Sequence, residues 1–390
     1  MACYIASREN RFYVNVEESF GAVAAVTASH RFTASAMEVK EEALYPQRRD
    51  KTGTRTRGPV MGPLRRKVQF AVKSYLVGTE AGTAPNYGPL VHSAMGKEPL
   101  VSAGGIVESV PASNRIRFTT PHEMVAGQGV SFGGEVRFVA AVVDEFTVEL
   151  NIPFTLVPGP GALTGPTVSY ALGNDLKSLS LFDYWSPESA VQRIVSGGVV
   201  NRMTISVNGD VHDLEFAGPA RDVIDSSSFE NGVGELMAFP LEPAVAATYE
   251  AVPVSGHLGQ AWIGAVPSQF LTLTKGSVEL DNGVEMRSSE FGSSLPRCVV
   301  PGAREVTFDC MLYGRDDGAT KEIYQAARTR SPLQVMLQLG QQGGQMMGVY
   351  VKSLVPEVPE FVDKETRLQW KLSGCLAEGS SDDELYIAFA

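Results

Sequence analysis

Apolar and polar residues alternate along many short stretches of the chain, and turn residues separate these stretches. Alternation with a period of two is typical of strands that bury one face. The clearest examples lie at 12–16, 203–207, 333–339 and 368–372. Two other stretches, 85–95 and 320–330, have apolar residues at helical spacing, and Asp316 and Asp317 precede the second, where they can cap a helix. The pattern predicts a mainly β fold with two helices.

The same order of patterns occurs twice along the chain. RKVQFAV at 66–72 resembles REVTFDC at 304–310, and each copy continues into a predicted helix and then an alternating strand. The segments 201–218 and 366–379, which end the two halves, also resemble each other. The offset between copies falls from 233 at the helices to 154 at the following strands, a difference of 79 residues. We therefore expect two tandem β-barrel or β-sandwich domains with one helix each, the first interrupted by an insertion.

This interpretation sets the domain limits. The first domain would be discontinuous, over 1–98 and 177–245, and the second would cover 246–390. The insertion at 99–176 has short alternating runs and its own turns, which indicates a small β domain. Because it enters and leaves at one loop, we expect it to face outward and to be dispensable for the folding of its host.

Charge adds one feature to this picture. The chain carries a net charge of −11, yet residues 46–73 hold nine basic residues against one acid. The remainder has 24 basic and 43 acidic residues, a net charge of −19. A basic arm on an acidic body suggests contact between like subunits, although a solvated loop would have the same composition. The residues assigned to this contact are Arg48, Arg49, Lys51, Arg55, Arg57, Arg65, Arg66 and Lys67.

Motifs for chemistry are missing from the sequence. His122-Glu123 begins like a zinc protease motif, but Ala126 occupies the place of its second histidine. The glycine-rich segments do not link a strand to a helix as phosphate-binding loops do, and the four cysteines show no paired spacing. We expect no enzyme activity, no cofactor and no metal. An enzyme whose residues meet only in the folded chain would have no such motif, so that class stays open.

Membrane insertion and secretion are also not expected. The longest apolar run, 138–143, is far shorter than the roughly 18 residues that suggest a membrane span. The first residues contain no basic segment followed by an apolar one, so we expect no secretory signal. The cysteine usage is typical of a reducing compartment.

Two segments carry a family resemblance. GTEAGTAPNYGPL at 78–90 resembles the Gly-Thr-Ala-Gly-Thr-Ala-Pro-Glu-aromatic-Gly-Pro-Leu-Leu segment of the tail tube proteins of long-tailed bacteriophages. DELYIAF at 383–389 is similar to the Asp-Glu-Leu-x-Ile-Ala-Phe segment of the same family. The resemblance extends over most of 1–98 and 177–390. The insertion lies outside it, and Asn86 stands where the family usually has Glu.

The resemblance implies a structural virion protein made in the cytoplasm of a bacterial host. Its β domains would assemble into rings, of three chains with pseudo-sixfold symmetry or of six chains, and the rings would stack into a tube. The implied partners are other copies of the chain, a tape measure protein inside the tube, and the tail terminator and tail-tip proteins. Viral DNA would leave through the lumen without specific binding, for which an acidic body is suited because like charges repel. The basic arm would contact the next ring.

A second class of protein also fits a strand-rich chain. A soluble β-sandwich that binds carbohydrate or serves in adhesion would present aromatic side chains on exposed loops. Trp185 and Trp262 are the candidates for such a platform, although tryptophans in strand-rich chains are more often part of the core.

Overall fold

The computed structural model describes residues 4–45, 51, 53–56, 58–59, 64–186, 189–244, 252–363 and 366–390. The predicted mainly β fold is confirmed, and both helices lie where the sequence predicted them. They are α1 (Gly88–Met95) and α2 (Ala319–Thr329). At the start of α2, the amide of Ala319 donates a hydrogen bond to Oδ1 of Asp317 (3.2 Å), one of the two predicted capping residues.

The first half of the chain forms two connected sheets. Its strands are β1 (Asn10–Val16), β2 (Arg31–Phe32), β3 (Ala36–Leu44), β4 (Arg65–Tyr75) and, after the insertion, β12 (Leu179–Trp185), β13 (Arg193–Gly198), β14 (Arg202–Val207), β15 (Asp213–Ala220) and β16 (Asp222–Asp225). One sheet has the order β16-β13-β12-β1-β2, and the other includes β14-β15-β4-β3. Only Arg221 separates β15 from β16, so one bent segment contributes to both sheets.

The second half repeats these pairings. Its strands are β17 (Gly259–Gly264), β18 (Ser268–Gln269), β19 (Leu273–Asp281), β20 (Glu285–Met286), β21 (Val299–Val300), β22 (Glu305–Tyr313), β23 (Leu333–Leu339), β24 (Met347–Val355), β25 (Glu360–Val362), β26 (Gln369–Ala377) and β27 (Leu385–Phe389). β26 pairs with β22 along its length and with β24 at its end. In the first half, β15 pairs with β4 and β16 pairs with β13, so β15 and β16 together correspond to β26. The hairpin of β3 and β4 corresponds to that of β19 and β22.

The inserted residues form a sheet of their own. Its strands, β6 (Val107–Ala112), β7 (Arg115–Phe118), β8 (Gly129–Phe132), β9 (Glu135–Val142) and β10 (Thr147–Leu150), lie in the order β6-β7-β10-β9-β8. Two flanking strands, β5 (Leu100–Ser102) and β11 (Thr167–Ala171), pair with each other, and β11 also pairs with β27. The separate sheet therefore covers fewer residues than the predicted insertion at 99–176, because β5 and β11 belong to the main sheet.

The inserted sheet has two apolar contacts. One face covers a core of its own, formed around Ile116, Phe118 and Val148. On the other side, Val136, Phe138 and Ile152 form a buried cluster with residues of the second half, which include Met336, Tyr350 and Tyr386. The rings of Phe138 and Tyr350 stack with centroids 5.4 Å apart. The insertion thus packs against the second half of the chain in addition to covering a core of its own.

A buried arginine lies at this contact. Arg137 is 0% exposed, and its guanidinium donates hydrogen bonds to the carbonyls of Val136 (2.9 Å) and Pro153 (3.1 Å). It also donates to the side-chain oxygens of Gln338 and Gln260, each at 3.3 Å. A carboxylate oxygen of Glu135 lies 3.1 Å away. The charge is thus compensated and its donors are used, as a buried cation requires.

Candidate assembly interface

Eight strands from the two halves lie side by side as part of one long sheet. Their order is β25-β26-β22-β19-β14-β15-β4-β3. Along β14, Met203, Ile205 and Val207 are buried, whereas Arg202 and Thr204 lie on the opposite face. Because side chains alternate across a strand, one side of these eight strands faces the core and the other faces solvent. We call the solvent side the polar face.

Charges on the polar face are nearly balanced. Nine carboxylates lie there against seven basic side chains, a net charge of −2. The carboxylates are those of Glu38, Glu42, Asp213, Glu215, Glu279, Asp281, Glu305, Asp309 and Glu360, and the basic residues are Lys40, Arg65, Lys67, Lys73, Arg202, Lys275 and Lys371. This face is therefore less acidic than the charge of the whole chain suggested.

Several of these charges are paired across neighbouring strands. Lys73 Nζ lies 3.1 Å from Glu215, and the guanidinium of Arg202 lies 3.3 Å from Glu279 and 3.2 Å from Asp281. Exposed pairs of this kind contribute little to stability. They do compensate the cations, which are then less available to an external anion.

The two halves join where β14 pairs with β19. Six residue pairs connect the strands, from Arg202 opposite Asp281 to Val207 opposite Gly276. Next to them, the buried side-chain amide of Asn282 donates to the carbonyl oxygens of Ala94 (2.9 Å) and Val200 (3.2 Å). We call this pairing of β14 with β19 the inner joint.

The inner joint buries apolar side chains from both strands. Ile205 of β14 is 0% exposed and Val278, directly opposite on β19, is 1% exposed. On the polar face of the same joint, the hydroxyl of Thr204 donates to a carboxylate oxygen of Glu279 at 3.3 Å. The buried core thus continues across the joint from one half of the chain to the other.

The eight strands end in β3 on one side and β25 on the other. Among the described residues, β3 pairs with β4 and β25 with β26, and neither has a second strand partner. Both strands carry exposed charged residues, Glu38 and Lys40 on β3 and Glu360 on β25. Phe361 of β25 is 52% exposed. Unpaired strands of this kind offer backbone groups to another chain.

Part of the predicted contact arm lies in strand β4. Arg65, Arg66 and Lys67 are the first residues of β4, where they lie opposite Leu44, Ala43 and Glu42 of β3. Lys51 and Arg55 are exposed. Arg48, Arg49 and Arg57 lie outside the described residues. The end of the predicted arm is therefore part of the sheet.

Two arginines at the start of β4 have partners. Arg66 lies 3.0 Å from a carboxylate oxygen of Glu41 on β3. The guanidinium of Arg65 donates to the carbonyl oxygens of Ser289 (3.4 Å) and Glu290 (3.2 Å). These carbonyls belong to residues 282–304, which connect β19 to β22 as residues 45–64 connect β3 to β4. The connection of the second half thus reaches across to the first.

Possible metal ligands are scattered over the described part of the chain. No group of three or more His, Cys, Asp or Glu residues there could hold a metal ion. Cys310 and Cys375 are buried, and burial raises the pKa of both thiols, so that they are poor nucleophiles. No helix among the described residues has the length and apolar character to cross a membrane.

The tryptophans proposed for a carbohydrate platform lie in strands. Trp262 of β17 is partly buried, with the guanidinium of Arg137 5.4 Å from its ring and its indole N–H donating to Gln260 (3.2 Å). Trp185 is the last residue of β12 and also partly buried. The alternative function requires an exposed aromatic surface on a loop, and neither of these two side chains forms one.

Comparison with known proteins adds no family to these observations. No family model matches the chain, and no curated protein matches it either. A function must therefore be inferred from the repeat, the strand edges and the resemblance of two sequence segments.

Proposed function

We propose that this protein is a structural subunit that assembles with copies of itself into rings, which stack to form the tail tube of a long-tailed bacteriophage. The observation that carries the proposal is the inner joint. Two copies of one β unit already meet edge to edge inside the chain, and at each end of the joined strands the last strand has no second strand partner among the described residues. A contact between two different edges is heterologous, and such contacts close into rings when the rotation permits.

The number of strands bears on the size of the ring. Three chains would contribute six β units and 24 strands of the kind described. At about 4.8 Å between strands, 24 strands span about 115 Å, which as a closed cylinder has a backbone diameter of about 37 Å before strand tilt. Six chains would double that diameter. Three chains thus give an open lumen with pseudo-sixfold symmetry, which we favour.

The polar face would line this lumen. Its charges are nearly balanced, and several of its cations already have carboxylate partners. DNA is held chiefly by cations that neutralise its phosphates, so a compensated surface retains it weakly. Viral DNA would pass without specific binding, and a tape measure protein would occupy the lumen before ejection. The tail terminator and tail-tip proteins would contact the two ends of the tube, and the site of action is the virion.

Electron microscopy tests the proposal. We expect purified protein at high concentration to form tubes in negative stain, whose end-on views show threefold symmetry with a strong sixfold component. The inserted sheet occurs once per chain, so it should add three peripheral densities to each ring. Strict sixfold symmetry with six such densities would indicate six chains per ring. A chain that stays monomeric under all conditions would contradict the proposed function.

The basic arm is proposed to contact the next ring, and its charge can be reversed. Glutamate replaces four arginines in this variant, at Arg48, Arg49, Arg55 and Arg57. We expect tube yield to fall at least tenfold at low salt, because like charges then meet the acidic neighbour. The deficit should shrink as salt shortens the screening length from about 10 Å at 0.1 M to about 3 Å at 1 M.

A second variant controls for the change in net charge. It also replaces four exposed basic residues by glutamate, at Lys97, Lys321, Arg328 and Arg330. We expect its tube yield, measured by sedimentation over the same salt series, to stay near that of the unmodified chain. Equal yields for both variants would show that the charge of the arm has no part in stacking.

A further inference from the structure

We propose that neighbouring chains join through β25 of one chain and β3 of the next, in the same residue register that β14 and β19 use at the inner joint. The inference rests on the proposed function only in that a ring requires a contact between chains. It follows from the repeat: β25 has the place of β14 beside its hairpin partner, and β3 has the place of β19. The occupant of each free edge is thus a second copy of this chain.

The ladder around β25 sets one side of the register. Ile205 of β14 lies opposite Leu214, and Phe361 of β25 lies opposite Trp370. Leu214 and Trp370 hold equivalent places. In each case the residue two positions later lies opposite the same position of the repeat, on β4 in the first half and on β22 in the second half. Phe361 therefore corresponds to Ile205, and the preceding Glu360 corresponds to Thr204.

The ladder around β3 sets the other side. Val39 of β3 lies opposite Phe70, and Val278 of β19 lies opposite Phe308. Phe70 and Phe308 are equivalent, because they occupy the same place in the similar segments 66–72 and 304–310. Val39 therefore corresponds to Val278, and the following residue Lys40 corresponds to Glu279.

Transferring the register of the inner joint then predicts three pairs between chains. They are Phe361 with Val39, Glu360 with Lys40, and Val362 with Glu38.

The surface properties of these residues agree with the predicted pairs. Phe361 is 52% exposed in the single chain, whereas its counterpart Ile205 is fully buried by the strand that faces it. A neighbouring β3 would cover Phe361 with Val39 in the same way. On the polar face, Glu360 would meet Lys40, which are opposite charges placed directly across from each other. Glu360 already lies 3.6 Å from Lys371, so its carboxylate would lie between two ammonium groups.

β25 is short, with three residues after Pro359. Very short edge strands, and prolines at an edge, limit indiscriminate pairing of sheets. A single joint should therefore be weak, and a closed ring, in which every joint is held by the others, should be much more stable than an open dimer. Assembly is then expected to be cooperative in chain concentration.

Charge reversal tests the joint. We expect Lys40→Glu to raise the concentration needed for ring formation at least tenfold, because Glu360 would face another carboxylate. Glu360→Lys should have a similar effect, and the double variant Lys40→Glu with Glu360→Lys should restore assembly to near the original concentration. Lys275→Glu is the matched control: it makes the same change on the polar face, on interior strand β19, and should leave ring formation unaltered.

Disulfide cross-linking tests the register directly. A chain with Glu38→Cys and Val362→Cys should, on oxidation, give covalent dimers and then trimers, with no larger species if three chains close the ring. The control pairs Val362→Cys with Glu42→Cys, which moves the thiol four residues or about 13 Å along β3 and should cross-link at background level. The three altered positions, 38, 42 and 362, all lie on the polar face, so no core contact is removed.

The outcomes separate this inference from the proposed function. Tubes that form normally in Lys40→Glu, with no cross-link through Val362→Cys and Glu38→Cys, would overturn the joint while leaving the tube proposal intact. Cross-linking of the Glu42→Cys control instead would show that the strands pair in a shifted register, which also overturns the inference. Failure of the unmodified chain to assemble would contradict both.

Discussion

Replacing Arg137 by alanine is expected to lower the free energy of unfolding by about 3 to 5 kcal/mol, the loss typical of a buried ion pair that loses one partner. The arginine is 0% exposed and connects the inserted sheet to the second half of the chain through Gln260 and Gln338. Alanine would leave the carboxylate of Glu135 buried beside a cavity. Denaturant titration at neutral pH measures the difference. A loss below 1 kcal/mol would show that the guanidinium is not needed for docking.

A control for Arg137→Ala lies in the same inserted sheet. Arg115 forms an ion pair with Glu149 at 2.7 Å, but its side chain is 46% exposed. Arg115→Ala removes the same side chain type from a solvated pair, and exposed pairs contribute about 0 to 1 kcal/mol. The expected contrast between the two variants is therefore at least threefold in free energy.

Lowering the pH should reduce the difference in the free energy of unfolding between Arg137→Ala and the original chain. Burial raises the pKa of Glu135, but the hydrogen bonds from Thr155 and Gln260 and the charge of Arg137 outweigh it, so the pKa is lowered from 4.5. A carboxyl group with a lowered pKa stabilises the fold above its unfolded pKa, and this contribution disappears as the pH falls through the folded pKa. The variant has lost the part of that contribution that comes from the charge of Arg137, so its deficit should shrink as the pH falls below about 4.5.

The sequence predicts those features that depend on one strand or on local spacing. Val72 and Cys310 lie in the two similar segments and occupy equivalent places in β4 and β22. The repeat can therefore be recognised from the sequence. Helix α2 was visible because Ile323 and Ala327 share one face and Asp317 precedes it. Alternation and helical periodicity survive in the sequence because each records which side of an element is buried.

The edges of the long sheet could not be predicted in the same way. β25 has three residues, which is too short to show alternation, and Phe361 is as apolar as a core residue although it is half exposed. The predicted match of 201–218 with 366–379 omits β25, which precedes the second segment. Which strands end a sheet depends on pairing between distant segments, and sequence patterns do not record that pairing.

The docking of the insertion was missed for a different reason. In β9, Glu135 and Arg137 are charged, which suggests an exposed face, yet both are buried as a pair. The five consecutive residues 135–139 are all buried, because one side of the strand faces the inserted core and the other faces the second half. A buried ion pair thus conceals a contact surface from any argument based on polarity alone.

Removing the inserted sheet is expected to destabilise the chain strongly, contrary to the dispensability that its position in the sequence suggested. The variant joins Ala103 to Gly165 through a short Gly/Ser turn and retains β5 and β11, so the main sheet keeps all its strands. Deletion would expose Met336, Tyr350 and Tyr386, which are at most 9% exposed in the intact chain.

Exposing a large apolar side chain costs about 1.5 to 3 kcal/mol, so uncovering these three residues should cost about 5 kcal/mol or more. A typical domain has only about 5 to 15 kcal/mol of stability, and the truncated chain should therefore be partly unfolded or aggregated at 37 °C. Soluble yield, dye binding to apolar surface and denaturant titration report the change.

A companion variant shows whether exposed apolar surface is the cause. It combines the deletion with Met336→Thr, Tyr350→Thr and Tyr386→Thr, since threonine is polar and suits a strand. These substitutions should restore solubility and remove dye binding, although they cannot restore the lost packing. If the simple deletion instead folds with the stability of the full chain and still forms tubes, the contacts of Phe138 and Arg137 contribute nothing that the host needs. The inserted sheet would then be a separable module that happens to lie against the second half.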